Sequence, residues 1–136
     1  AGGGKGLANF AVVPGVTVLI SDDAAKARMG VKAGMALYIG GMGARDRNFY
    51  NDYAKRLGYE EAAVEIQNLF LAGKKAEAAA AVPDRLVDEV ALVGPADRIR
   101  DRLQAWKEAG RKRHVGSLLV AGGGPDAMRV LAEEIL

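Results

Sequence analysis

Phe10-Ala-Val-Val-Pro-Gly-Val-Thr-Val-Leu-Ile-Ser21 is the stretch on which the fold turns. β-Branched residues dominate it and both of its faces are apolar, as a buried strand of a parallel sheet requires. Pro14 has no N–H to give to a ladder, so the regular strand is expected to begin at Gly15 or Val16. Ser21-Asp22-Asp23 supplies an N-cap and negative charge for the first turn of a helix. That helix is expected from Ala24 to Ile39, weakened at Gly30 and Gly34 by roughly 1 kcal/mol each relative to alanine. Gly40-Gly41-Met42-Gly43 is expected to end it.

Outward from this strand, the pattern is helical almost throughout from Asp46 to Ala81. Phe49, Tyr53 and Leu57 form one apolar stripe that Gly58 closes, and Ala62, Ile66, Leu69 and Phe70 form the next, closed by Gly73. Lys74–Ala81 is an alanine-rich helix, and Pro83 suits a first helical position. Val90-Ala-Leu-Val93 reads as a short strand ended by Gly94-Pro95. Pro95 to Ala109 is amphipathic, with Ile99, Leu103 and Trp106 inward and Gly110 as its stop. Val115-Gly-Ser-Leu-Leu-Val-Ala121 is a third strand, and Gly122-Gly123-Gly124-Pro125 turns into a last helix, Asp126–Leu136. Strands separated by helices argue for parallel pairing with right-handed crossovers. The reading is thus an α/β fold in a single domain, 1–136, with a flexible terminus over 1–9 and a helical insertion over 44–89.

Length and composition limit the chemistry. The 136 residues are 50% hydrophobic and 26% charged, which fits one soluble domain. A complete (β/α)8 barrel needs about 250 residues, so the chain is too short to be one. Cysteine is absent, which removes disulfides, thiolate nucleophiles and zinc–cysteine sites, and a single histidine rules out a multi-histidine metal centre. Nineteen basic residues against 17 acidic ones are too balanced to indicate nucleic acid. The run Phe10–Ser21 is too short to cross a bilayer. Ala1-Gly2-Gly3-Gly4-Lys5-Gly6 has neither an initiator methionine nor an apolar stretch after a basic start, so it reads as a processed end or a boundary and not as a signal peptide. The cytoplasm is the expected compartment.

Each candidate motif has a plainer reading beside it. Gly2–Gly6 lacks the preceding strand and the Ser or Thr after lysine that a phosphate loop needs, so a flexible terminus is preferred. Gly122-Gly123-Gly124-Pro125 does lie between a strand and a helix, where amides can hold an anion, but on sequence alone an ordinary strand-to-helix turn is the preferred reading. Arg111-Lys112-Arg113-His114 has no interleaved aromatic residues to stack bases and reads as a solvated loop, with His114 at the surface. Tyr38-Ile-Gly-Gly-Met-Gly43, followed by Arg45, Asn48, Phe49, Tyr50 and Asn51, is the densest stretch. Its glycines permit close backbone approach, while Arg, Asn and Tyr supply polar groups beside an aromatic wall. A helix–helix corner with ordinary caps explains the same residues equally well.

Ala36-Leu-Tyr-Ile-Gly-Gly-Met-Gly43, Asn48-Phe-Tyr-Asn51 and Gly58-Tyr59-Glu60 resemble the luciferase-like monooxygenase superfamily, nearest its deazaflavin (coenzyme F-420)-dependent oxidoreductase branch. The resemblance continues through Ile66-Gln67, Leu71-Ala72-Gly73, Ala79-Ala80-Ala81-Val82-Pro83-Asp84, Val87-Asp88 and Leu92-Val93-Gly94-Pro95. It implies the C-terminal part of a (β/α)8 TIM barrel, about three parallel strands with a helical insertion. It also implies hydride transfer from coenzyme F-420 or FMN to a small organic substrate. Gly40, Gly41, Gly43, Arg45, Asn48 and Tyr50 would line the pocket, and Gly122, Gly123 and Gly124 would approach a cofactor phosphate. No residue is named catalytic and no metal is implied. Open strand edges also predict a homo-oligomer, and a non-catalytic half-barrel that self-associates is the alternative. Nucleic acid and membrane are not expected partners.

Overall fold

The computed structural model describes residues 10–136, so the expectations for 1–9 lie outside the described residues. In chain order the elements are β1 (Gly15–Ile20), α1 (Ala24–Gly41), α2 (Phe49–Arg56), α3 (Glu60–Leu71), α4 (Lys75–Ala80), α5 (Asp84–Val90), β2 (Ala91–Gly94), α6 (Ala96–Arg111), β3 (Leu119–Ala121) and α7 (Gly124–Ile135). They group into two compact units. Of the described residues, 10–22 with Leu92–Leu136 form one, and Asp23–Ala91 form the other.

The first unit is built on an open sheet of three parallel strands in the order β2-β1-β3, the α/β class expected. β1 begins at Gly15, one residue past Pro14, as the missing proline N–H requires. Its alternate residues Val16, Val18 and Ile20 meet Ile99 and Leu103 of α6, Ala127, Val130 and Leu131 of α7, and Leu92 of β2 in one aliphatic core. Trp106, Leu118 and Val120 pack against this core from its margin.

β3 departs from the sequence reading. Val115–Ala121 carries the composition of a seven-residue strand, yet only Leu119–Ala121 pair, in register Gly15↔Leu119, Val16↔Val120 and Thr17↔Ala121. Leu119 is 66% exposed, so this is an edge strand and not a buried one. Consecutive strands of a barrel are neighbours, whereas here β3 lies across β1 from β2. By pairing there it satisfies an edge of β1 that would otherwise present unpaired N–H and C=O groups.

The second unit is helical. α1 packs on α2, α3, α4 and α5, and much of the contact is made by small residues: Ala27, Ala36, Ala54, Ala63, Ala78 and Ala79 are buried with Ile39, Ile66, Leu86 and Val87. Asp23 caps α1, its carboxylate accepting from the Lys26 N–H at 3.0 Å. Gly58 and Gly73 end their helices in the left-handed region, as expected. Two expectations need correction, and one stripe takes a direction that its spacing left open. α1 runs through Gly40 and Gly41. α6 passes Gly110 to Arg111, and Arg113, at φ 58°, takes the left-handed turn that Gly110 was expected to supply. The Phe49–Tyr53–Leu57 stripe faces solvent, because α2 buries Asn51 and Ala54 instead.

Candidate functional site

The corner between α1 and α2 is organised by Asn48. Its amide nitrogen donates to the carbonyls of Tyr38 at 3.1 Å and Ile39 at 3.0 Å, two of the carbonyls left open where α1 ends. Its amide oxygen accepts from the N–H groups of Tyr50 at 3.0 Å and Asn51 at 3.1 Å, capping α2. One side chain, 2% exposed, thus ties the end of one helix to the start of the next. Asn51, equally buried, extends the clasp by donating to Ile39 O at 3.1 Å and Ala63 O at 2.7 Å. Both donors of Asn48 and both acceptor positions of its oxygen are used within the protein.

The three glycines of this segment answer to packing. A Cβ on Gly40 would stand 2.5 Å from Phe70 Cβ and 3.2 Å from Ile66 O, and one on Gly41 would overlap the Phe70 ring. Their lack of side chains lets α3 lie against the last turn of α1, which is why the helix continues through both. A Cβ on Gly43 would overlap Arg47 O, inside the narrow turn that carries the Ala44–Arg47 bridge.

Arg45 and Tyr50 are displayed outward from the corner. The Arg45 guanidinium donates to the Asn68 side-chain oxygen. Tyr50 lies edge-on to Tyr38, ring centres 4.7 Å apart, and edge-on to Phe49 at 5.4 Å. Phe49 in turn stacks parallel to Tyr53 at 6.2 Å. Four aromatic rings therefore form a continuous outward surface of the helical unit.

Gly122, Gly123 and Gly124 belong to the sheet unit. All three have positive φ, and Gly123 caps the N-terminus of α7 with Pro125 just inside. A Cβ on Gly123 would overlap Ala127 Cβ and stand 2.9 Å from Val18 O, so only glycine lets this turn lie against β1. The turn leaves the carboxyl end of β3 beside β1, and it is around β1 that the strand order reverses direction.

Several features were not read from the sequence. An apolar groove of about 580 Å³ lies in the sheet unit, lined by Trp106, Leu118, Val120, Met128, Leu131 and Ile135. In the helical unit, Arg28 grips Asp88 with two hydrogen bonds of 3.0 and 2.9 Å, and Lys32, 8% exposed, meets Asp84 at 2.6 Å. The Asp88 hydrogen bonds raise the Arg28 pKa above its ordinary value against the opposing effect of burial. The Tyr59 hydroxyl is buried without a hydrogen bond of regular geometry. Burial first, and the Glu89 carboxylate second, push its pKa up. Pairing between distant helices leaves no periodic trace; the Asn48 clasp, an Asn just before a helical stripe, does. Among the described residues no cluster of three potential metal ligands occurs, and no helix is long and apolar enough to cross a membrane.

Comparison with known proteins adds what geometry alone does not. Residues 1–113 match the luciferase-like monooxygenase family. Over 124 residues the chain is 40% identical to a Mycobacterium tuberculosis protein named as a coenzyme F420-dependent oxidoreductase. That alignment covers 91% of this chain and 35% of the relative, so the chain spans about a third of the relative's length. No solved structure gives a significant match. With most of its length matched by one family and a relative in agreement, the chain belongs to the luciferase-like monooxygenases.

Proposed function

We propose that this chain is the C-terminal part of a (β/α)8 oxidoreductase that transfers hydride between a deazaflavin or flavin and a small organic substrate in the cytoplasm. The observation that carries the reading is the glycine turn: three consecutive glycines with positive φ at the carboxyl end of a parallel strand and the N-terminus of a helix, in a chain of this family. Ligands of open α/β sheets bind outside the carboxyl ends of strands where the strand order reverses, and helix N-termini favour anions. Gly122, Gly123 and Gly124 would hold a cofactor phosphate there, with the backbone approach that a Cβ would deny. In the helical unit, Arg45 and Tyr50 would meet the substrate or cofactor, while Gly40, Gly41, Gly43 and Asn48 hold the corner that displays them. The bound cofactor, coenzyme F-420 or FMN, supplies the hydride chemistry; the residues of this chain bind and orient.

Titration of coenzyme F-420 and of FMN against the chain, followed by cofactor fluorescence, tests the proposal. Binding is expected, and FMN should bind more tightly than riboflavin, which lacks the phosphate. Fluorescence unchanged for both cofactors at high protein concentration would overturn it for this chain. The open edge and exposed Leu119 of β3 favour a second reading, a non-catalytic portion that self-associates. Association without any cofactor binding would select that reading.

A further inference from the structure

We infer that the groove of the sheet unit binds a fatty acid anion, with the hydrocarbon tail on the groove floor and the carboxylate at Lys107 and Arg111. The groove, of about 580 Å³, lies within the range of about 300–1,000 Å³ that small-molecule sites occupy. Its floor is Leu131, 4% exposed, with Trp106, Leu118 and Val120, which are partly buried against the aliphatic core. Met128 and Ile135 of α7 line it and remain 54% and 45% exposed. Gly110 lines it from α6. A Cβ there would meet nothing nearer than Val115 O at 3.9 Å, so close backbone packing does not demand this glycine. α6 runs through Gly110 to Arg111, and a glycine weakens a helix that it does not end. What its missing side chain does is keep the groove open.

The chemistry of the lining selects the ligand. The charged side chains among the lining residues, Lys107 and Arg111, are both cationic, and Ser117 adds a hydroxyl. Lys107 and Arg111 stand one turn apart at the end of α6. Lys107 Nζ lies 3.7 Å from Glu134, too far for a hydrogen bond. Arg111 shares the single carboxylate of Glu108 with Lys112, each at 3.3 Å, so this end of the groove carries an excess of positive charge. A carboxylate placed there would accept charge-assisted hydrogen bonds. A cationic amphiphile would set like charges together, and a peptide would lay its N–H and C=O groups on an aliphatic floor, at the cost of desolvating them. Val115, Gly116 and Ser117 line the groove ahead of β3, whereas the Gly122–Gly124 turn follows it. The site is therefore separate from the glycine turn and does not rest on the activity proposed above.

Trp106, the single tryptophan, lines the groove and reports on its occupation by intrinsic fluorescence. Octanoate, decanoate and dodecanoate, titrated below their micelle-forming concentrations, should each give a saturable change. Affinity should rise roughly fourfold for each added methylene. Dodecyltrimethylammonium, with the same tail and the opposite charge, should bind at least tenfold more weakly than dodecanoate. Lys107→Gln with Arg111→Gln should remove most of that preference and keep the dependence on chain length. Gly110→Leu should fill the groove and abolish binding, with the far-ultraviolet dichroism kept and the unfolding midpoint unchanged or raised, which separates a filled groove from a lost fold. No saturable change with dodecanoate, equal affinity for the two head groups, or undiminished binding by folded Gly110→Leu would overturn the inference. Association with phosphatidylglycerol vesicles without binding of the monomeric acid would overturn it too. The cofactor titration reads the other end of β3, so failure of either proposal is visible by itself.

Discussion

The two units of this chain solve the same packing problem with different chemistry. Among the described residues, the four buried polar or charged ones, Lys32, Asn48, Asn51 and Gln67, all lie in the helical unit. The sheet unit buries Val16, Val18, Leu92, Ile99, Leu103 and Leu131, and its described residues include no buried polar side chain. Aliphatic burial is strong and non-directional; a buried amide is worth little net but tolerates only one geometry. The helical unit, made of short helices with alanine-rich contacts, needs direction and gets it from asparagine clasps and the Arg28–Asp88 pair. The sheet unit takes direction from its strand ladder and can leave an edge and a groove open. Asn48 and Asn51 of the helical unit, which look chemical in the sequence, are therefore spent on structure, whereas the sheet unit leaves the outer edge of β3 open.

The severest test of that contrast is Asn48→Asp. The aspartate keeps the cap on α2 but cannot donate, so it sets a buried carboxylate against Tyr38 O and Ile39 O. With two carbonyls orphaned at about 1–3 kcal/mol each, the loss should be roughly 3–5 kcal/mol. Urea denaturation followed by far-ultraviolet circular dichroism measures it. Trp106, the single tryptophan, reports only on the sheet unit. The fluorescence midpoint should therefore move less than the dichroism midpoint. Equal movement of both would mean that the units unfold as one, and the contrast between them would not extend to stability.

The corresponding change in the sheet unit is Gly123→Ala. Here the backbone, at φ 83°, and the space, closed by Val18 O and Ala127 Cβ, both exclude a side chain. Strain and overlap together should cost about 2–4 kcal/mol. The order of effects should reverse, with the Trp106 midpoint falling further than the dichroism midpoint. The same variant should lose the preference for FMN over riboflavin if the turn holds phosphate.

Gly41→Ala comes next, at about 1–3 kcal/mol for overpacking against the Phe70 ring. Its cause is separable, because truncating Phe70 to leucine should recover much of the loss at Gly41 and little at Gly40, whose Cβ would meet Phe70 Cβ and Ile66 O. A double-mutant cycle in urea gives the coupling, and equal recovery at both positions would contradict the packing described.

How far the sequence revealed all this depended on the range of the forces involved. Local signals were legible: Pro14 set the start of β1, Asp23 capped α1, and Gly58 and Gly73 stopped their helices. The inward face of α6 was legible too, since Ile99 and Leu103 repeat at helical spacing. What escaped was decided by partners distant in sequence. Gly40 and Gly41 read as a helix end because nothing nearby announces Phe70. The α2 residues read only as one stripe, because periodicity shows which residues share a face and not which face turns inward, a choice made by Asn48 and Asn51. Val115–Ala121 read as a full strand because composition is blind to how much of a neighbouring edge is available. At the candidate site, the corner was legible as a dense cluster, but whether its asparagine bonds were free for a ligand was not.

The smallest expected effect probes a polar group of the helical unit that lacks the direction the others have. The Tyr59 hydroxyl is buried, with the Glu89 carboxylate near it but no hydrogen bond of regular geometry, so its desolvation is poorly compensated. Tyr59→Phe should therefore be neutral or slightly stabilising at neutral pH, whereas Asn48 and Asn51 do not tolerate loss of their amides. The pH dependence follows from the raised pKa of the phenol. Below its ordinary value of 10.0 the folded and unfolded chains are both protonated at Tyr59, and its contribution is constant. Above that value the unfolded chain releases the proton while the folded chain still holds it, so stability falls as pH rises through the window up to the folded pKa. Other tyrosines and lysines titrate in the same range, so the informative quantity is the difference between wild type and Tyr59→Phe. The two should diverge in alkaline solution, with the variant losing less stability. Parallel curves would show that the hydroxyl finds a partner for its charged form, and Tyr59 would then belong with Asn48 as a group that the helical unit has satisfied.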